Sequence, residues 1–228
     1  MVIMSNILKS EPVLFAFNGQ VCYSEESVLR MLTKVKNKGD IMVEMNKEAV
    51  LVWASRNNHT NIVVDLLEKG TDPHVDDCSS LTHAVDHDNI IVVNLLTSLG
   101  INLHVNNDSA LRTAVCRGNI DIVKILLEGG ANVHAEDDAA VRWASYEGDL
   151  AMVELLVNFG ANIKAADNES LKLAAEFERI EVLDFLLTQG ADPHARDYKI
   201  LRDAASLNKT EVTYTLLKHG ALLSNILK

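Results

Sequence analysis

His83, Asp86 and His87 are the residues of this chain whose types and spacing best suit chemistry. Positions i, i+3 and i+4 share one face of a helix. Two imidazoles and a carboxylate placed so could converge on zinc. Cys116 stands thirty residues beyond Asp86 and could supply a thiolate. A metal-dependent enzyme is the reading that follows. Against it, no glutamate base and no further ligand occurs at a recognised spacing, and the same residues read equally as a polar, exposed face. His74, His104, His134 and His194 recur in one column, with Lys164 in the remaining place. A histidine ladder suggests a pH sensor. Packed helical layers lie roughly 8–10 Å apart, too far for neighbouring imidazoles to share a metal, so the column reads as structural. Arg112, Arg142, Lys172 and Arg202 follow Asn107, Asp137, Asp167 and Asp197 by five residues, and Asp77 shares that acidic column. Asp–Arg bonds tying loop to helix are expected there. A basic stripe for phosphate is the alternative. Trp53 and Trp143 share a column and read as packing residues, with ligand stacking the alternative. No Ser/His/Asp or Cys/His set, phosphate loop or dinucleotide fingerprint occurs.

Chemistry that recurs at a fixed interval implies elements that recur. Gly70, Gly100, Gly130, Gly160, Gly190 and Gly220 stand thirty residues apart. Self-similarity at such a period marks an array of small stacked units, each burying its apolar face against the next. In residues 107–136 the apolar spacing of Leu111, Ala114 and Val115 predicts a helix from Ser109 to Cys116. Asn107 or Asp108 is its expected N-cap. A second helix is predicted from Ile120 to Glu128, apolar over most of its circumference and therefore buried on more than one side. The same columns recur along the chain: Leu51, Leu81, Leu111, Val141, Leu171 and Leu201 open the first helices, and Leu66, Leu96, Leu126, Leu156, Leu186 and Leu216 centre the second. The turn between helices carries Asn58, Asp88, Gly118, Gly148, Glu178 and Asn208. All but Glu178 tolerate a left-handed backbone, so the turn at Glu178 should be strained or built differently.

The pattern L-x-x-A-x-x-x-G-x-x-x-I-V-x-x-L-L-x-x-G-A resembles the ankyrin repeat. It covers residues 47–226 as six units, 47–76, 77–106, 107–136, 137–166, 167–196 and 197–226. The family's unit is about 33 residues. The three missing here fall where the family builds a β-hairpin finger, so a short loop is expected instead. The family's T-P-L-H opening is replaced by Ala110-Leu111-Arg112 or Ala140-Val141-Arg142. Short units of this style are similar to the ankyrin families of giant DNA viruses of amoebae, mimivirus-like ones among them. The resemblance implies an all-α ankyrin-repeat solenoid of helix pairs and a non-catalytic protein–protein interaction scaffold. With the viral likeness, a host factor in the host cytoplasm is the implied partner.

Residues 1–46 lie outside the array. Val13–Phe17 and Gln20–Tyr23 flank Asn18-Gly19, a strong hairpin signal. Ser24 could cap a helix to about Asn37, with Val28, Leu29, Leu32 and Val35 on one face. Hairpin and helix together are expected to cap the stack.

The net charge of −11 disfavours nucleic acid and anionic membrane, which need a dense basic surface. Three cysteines without a spacing motif read as free thiols of a reducing, cytoplasmic setting. Aromatic residues are only 5% of the chain, so the core must be aliphatic. No cofactor is expected, and the protein is expected to be a monomer; a structural, self-assembling role is the third reading.

In the ankyrin architecture the residues just before the inter-helix turn project into a concave groove. Here they are Arg56, Asn57, Asp86, His87, Cys116, Arg117, Tyr146, Glu147, Glu176, Phe177, Ser206 and Leu207. The core columns are nearly constant from unit to unit, whereas these two columns change in every one. Constant columns serve the stack; varied columns are free to serve a partner. Tyr146, Phe177 and Leu207 are expected to form an apolar strip there.

Overall fold

A residue with positive φ ends every helix pair, as the glycine period predicts. Gly70, Gly100, Gly130, Gly160, Gly190 and Gly220 all have φ between 75° and 98°. Past each, the chain turns so that its next N–H reaches back into the helix just left: Ala131 donates to the Leu126 carbonyl at 2.9 Å and Ala161 to Leu156 at 3.0 Å. Orphan carbonyls of a helix C-terminus are satisfied in this way. The computed structural model describes residues 15–17, 20–22 and 47–221; the two strands and residues 75–77 are described by their backbone alone. Among the described residues the elements are a hairpin of β1 (Phe15–Phe17) and β2 (Gln20–Cys22), followed by helices.

By contact the chain divides into two units, Met1–Val92 and Val93–Lys228. The first holds the antiparallel hairpin, in register Phe15↔Cys22 and Phe17↔Gln20, with α1 (Lys47–Arg56), α2 (Thr60–Glu68) and α3 (Val75–Asp86). The strands fall within the expected Val13–Phe17 and Gln20–Tyr23, of which residues 13, 14 and 23 lie outside the described residues. The helix expected over 24–37 lies outside the described residues. Helix α4 (Ile90–Ser98) carries the division. The second unit holds α5 (Ser109–Cys116), α6 (Ile120–Glu128), α7 (Ala135–Glu147), α8 (Leu150–Asn158), α9 (Ala165–Glu176), α10 (Ile180–Thr188), α11 (Lys199–Ser206) and α12 (Thr210–Lys218). First helices pack on first helices, α5 on α7, α7 on α9 and α9 on α11; α8, α10 and α12 form the second layer. No described helix is long and apolar enough to cross a membrane.

The core follows the constant columns. Every leucine from Leu66 to Leu216 in the second-helix column is 0% exposed, and the alanines at 54, 84, 114, 144, 174 and 204 are at most 3% exposed. A small residue there lets helices approach closely. Its carbonyl is also used: Asn119 N–H donates to Ala114 at 3.1 Å and Arg179 N–H to Ala174 at 2.8 Å, closing the first helix as the glycines close the second.

The connections before the first helices are short, as expected, and in α7 and α9 they lie within the helix span itself, interrupting it at 136–138 and 166–168. Three consecutive residues adopt the left-handed conformation: 106–108, 136–138, 166–168 and 196–198, with φ between 48° and 60°. Among the described residues no strand lies between helix pairs. A single left-handed turn is what thirty residues leave room for. Left-handed backbone costs L-residues ~1–2 kcal/mol each, and Ala166, Arg196 and Tyr198 lack the short polar side chain that eases it. A guanidinium offsets the cost. Arg112 donates to the carbonyls of Asn107 (3.2 Å) and Asn106 (3.1 Å). Arg142 donates likewise to Asp137 (3.1 Å) and Glu136 (2.8 Å). Where Lys172 replaces the arginine, Arg196 of the following loop supplies the fork, to Asp167 (2.9 Å) and Ala166 (3.2 Å). The expected Asp–Arg ladder is therefore corrected: the arginines tie loop to helix through backbone carbonyls, because a left-handed turn aims two successive carbonyls at one fork.

The expected cap at Asn107 or Asp108 is corrected too. Asp108 is at the N-cap position with φ 54° and makes no side-chain cap bond. Its carboxylate is buried, accepts the Asn132 N–H at 2.7 Å and meets His104 Nδ1 at 3.1 Å. Asp138 repeats this with Asn162 N–H at 2.7 Å and His134 Nδ1 at 2.9 Å. Each carboxylate thus staples its loop to the next.

Two outcomes are expected. Arg142→Gln keeps the stem but loses the fork, and should lower stability by about 1–2 kcal/mol; a denaturant midpoint that does not move would show the clamp to be idle. Leu126→Ala should cost about 2–5 kcal/mol, the range for a buried leucine, read from the same denaturation curves.

Candidate functional site

The varied columns sit where the first helices stop. Arg56, Asp86, Cys116, Glu147, Glu176 and Ser206 are the last helical residues, and Asn57, His87, Arg117, Phe177 and Leu207 follow in the turns. Each of these is exposed; Tyr146 alone among the twelve expected site residues is half-buried. The turn is the same in every pair. Asn58, Asp88, Gly118, Gly148, Glu178 and Asn208 all have φ between 55° and 84°. Glu178 adopts the shared geometry at φ 57°, so of the two expected outcomes it is the strained one.

In the first unit the candidate metal residues are not gathered as a ligand set. Arg56 Nε donates to His87 Nε2 at 3.2 Å, which occupies the lone pair a metal would need. Asp86 lies 3.9 Å from that same nitrogen. Burial, ahead of the Arg56 and His87 charges, holds His83 below its ordinary pKa. Among the described residues no group of three or more His, Cys, Asp or Glu is placed to hold a metal. Cys116 belongs to the second unit. Burial holds its thiol above the ordinary pKa, the wrong direction for a nucleophile. The histidine column is engaged in its own loops. Beyond the Asp108 and Asp138 contacts, His74 Nδ1 meets Asp72 at 2.9 Å and His194 Nδ1 meets Asp192 at 3.2 Å. Asn102, Asn132 and Asn162 accept the backbone N–H of His104, His134 and Lys164, each at 3.0 Å, which folds the loop locally.

In the second unit the helix ends bring aromatic rings together. Trp143 and Tyr146, one turn apart on α7, have ring centroids 5.4 Å apart. Tyr146 meets Phe177 of the next turn edge-to-face at 4.5 Å. Trp143 is 41% exposed and Phe177 40%. Tyr146 is the half-buried centre of this cluster, and Leu207 is 66% exposed on the following turn. The expectation that Trp143 is a packing residue is corrected, while Trp53 does pack, at 7% exposed. The signal was in the column itself: Trp53, His83, Thr113, Trp143, Leu173 and Asp203 mix charged, polar and large apolar types.

After three of the turns a side chain reaches back to the preceding first-helix end; in the first unit it is the neutral amide of Asn89, which donates to the Arg56 carbonyl at 3.2 Å. Arg179 donates to the Tyr146 carbonyl at 2.9 Å. Its chain lies over Gly148, where a Cβ would come within 2.6 Å of Arg179 Cδ. Lys209 donates to the Glu176 carbonyl. Asn119 and Asp149 act within their own pair, each accepting the N–H three residues on at 3.1 and 3.0 Å. Cationic donors at helix C-termini satisfy orphan carbonyls and oppose the dipole. Beside this edge a cleft of about 460 Å³ is lined by Glu176, Asp203 and Leu207 among others.

A helix-pair repeat with an exposed, varied edge defines the class as a helical repeat protein. A family profile of ankyrin repeats in three copies matches residues 51–137 and 111–197, well over half of the chain, and the chain belongs to the ankyrin repeat family. No curated protein sequence matches it significantly. Among solved structures, an ankyrin repeat domain from Acinetobacter baumannii AYE aligns with TM-score 0.68 and 22% identity over 77% of this chain and 100% of that one. The ankyrin repeat domain of human ASB11 aligns with TM-score 0.64 and 24% identity, covering 76% and 84%. The ankyrin repeat domain of Bcl-3, a member of the IkappaB protein family, gives 0.65 and 21%, covering 82% and 90%. These likenesses establish the fold; ankyrin repeats in general mediate protein–protein interactions.

Purified protein should contain no stoichiometric zinc by elemental analysis, and His87→Ala should shift stability by no more than about 0.5 kcal/mol. About one zinc per chain, lost in His87→Ala, would restore the metal-centre reading.

Proposed function

We propose that this protein is a non-catalytic scaffold that binds a partner protein through the edge where its first helices end. The observation that carries the reading is the exposed cluster of Trp143, Tyr146 and Phe177. The folded chain gains little by leaving indole and phenyl rings in water, whereas aromatic anchors dominate interface energetics. The remaining varied residues, Arg56, Asn57, Asp86, His87, Cys116, Arg117, Glu147, Glu176, Ser206 and Leu207, complete the proposed binding face. The constant core and the stapled loops support it, since a preorganised surface loses less entropy on binding. The similarity of the short units to ankyrin families of amoebal giant viruses supports a host protein as partner and the host cytoplasm as the place of encounter. A monomeric state is part of the proposal.

The test is capture from host lysate with wild type and with Trp143→Ala/Phe177→Ala. The double variant should lose the captured partner, a loss of several kcal/mol being usual for two aromatic anchors. Its melting temperature should fall only slightly, because both rings are substantially exposed. An unchanged partner would reject the edge as the binding site.

A further inference from the structure

Resting on that binding reading, we propose that the segment received by the edge of α7, α9 and α11 is basic and apolar by turns, with arginine or lysine side chains lying on the aromatic cluster. Three observations point to cations. First, the C-termini of these helices converge: Arg179, beyond the α9 turn, reaches the last turn of α7, and Lys209, beyond the α11 turn, reaches the end of α9. The negative ends of three helix dipoles therefore lie side by side. Second, the side chains of this chain that donate to the α7 and α9 ends, Arg179 and Lys209, are both cations. Third, the aromatic rings are flanked by the exposed carboxylates of Glu147 and Glu176. The neighbouring cations already have partners. Arg142 is spent on the carbonyls of Glu136 and Asp137, and Lys172 lies 3.1 Å from Glu169 against 3.9 Å from Glu176. Ring faces bordered by carboxylates suit a guanidinium or ammonium, which gains cation–π attraction and a charge-assisted hydrogen bond together.

The probes are a fluorescein-labelled peptide alternating arginine and leucine, and the same peptide with glutamate in place of arginine, titrated by anisotropy against the full chain at physiological salt. Because a chain of charge −11 attracts any polycation, two charge-matched variants are compared. Glu147→Gln/Glu176→Gln removes carboxylates from the edge. Glu154→Gln/Glu181→Gln removes two exposed ones from the second helices. The arginine peptide should bind, weaken about tenfold with the edge pair and less than about twofold with the control pair. Tighter binding of the glutamate peptide, equal loss in both variants, or no binding of either peptide would overturn the assignment of a basic partner. The broader reading is tested separately by Trp143→Ala/Phe177→Ala. That variant should also abolish binding of the arginine peptide; if the basic assignment has been overturned and the variant still loses the lysate partner, the edge binds a partner of other chemistry, and if it changes nothing, the edge is not the site at all.

Discussion

Everything in this molecule depends on stopping a helix after two or three turns and sending the chain back. The device is a residue in the left-handed conformation, which lets the next N–H reach the carbonyl five residues back. It closes the second helices at six glycines and the first helices at Asn58, Asp88, Gly118, Gly148, Glu178 and Asn208. Helices of 8–13 residues are marginal alone, since nucleation is costly and few bonds repay it. They persist because each closing turn delivers an apolar column to the neighbouring pair, where leucines such as Leu126 and Leu156 are wholly buried.

The shortened repeat carries that constraint further. With three residues fewer than the family unit, the connection becomes one left-handed turn, and its successive carbonyls require a donor. Arginine supplies it from either of two positions, Arg142 within its own repeat or Arg196 from the next loop. The buried carboxylates of Asp108 and Asp138 then bind the following loop. Much of the polar chemistry apparent in the chain is consumed by this architecture: arginines, aspartates and histidines that recur at thirty-residue intervals hold loops, and are not gathered into a catalytic set.

What architecture does not consume lies at the first-helix ends. There the backbone is identical from pair to pair and the side chains are not. A regular array thus presents irregular chemistry at regular intervals, which is the physical basis on which a repeat surface can be specific. The cost is visible in the same place. Gly148 is needed because Arg179 crosses it, and Glu178 holds a conformation that glycine or asparagine would hold more cheaply.

The sequence alone determined the repeat, the helix pairs and the core, because period, leucine columns and glycine positions each reflect local backbone chemistry that needs no distant partner. The spans Ser109–Cys116 and Ile120–Glu128 could be read directly, since their apolar spacing and their terminators agree. The positions of the varied columns at the first-helix ends were legible for the same reason. Tertiary structure decided what the side chains of one repeat do to the next. That Asp108 accepts from Asn132 rather than capping α5, that arginines grip backbone carbonyls of the left-handed turns, and that Trp143 joins Tyr146 and Phe177 while Trp53 is buried, all depend on contacts between residues distant in sequence or on which neighbour covers a given face. Residue type sets what a side chain can bond to; only the packing of one turn against the next sets which partner is within reach.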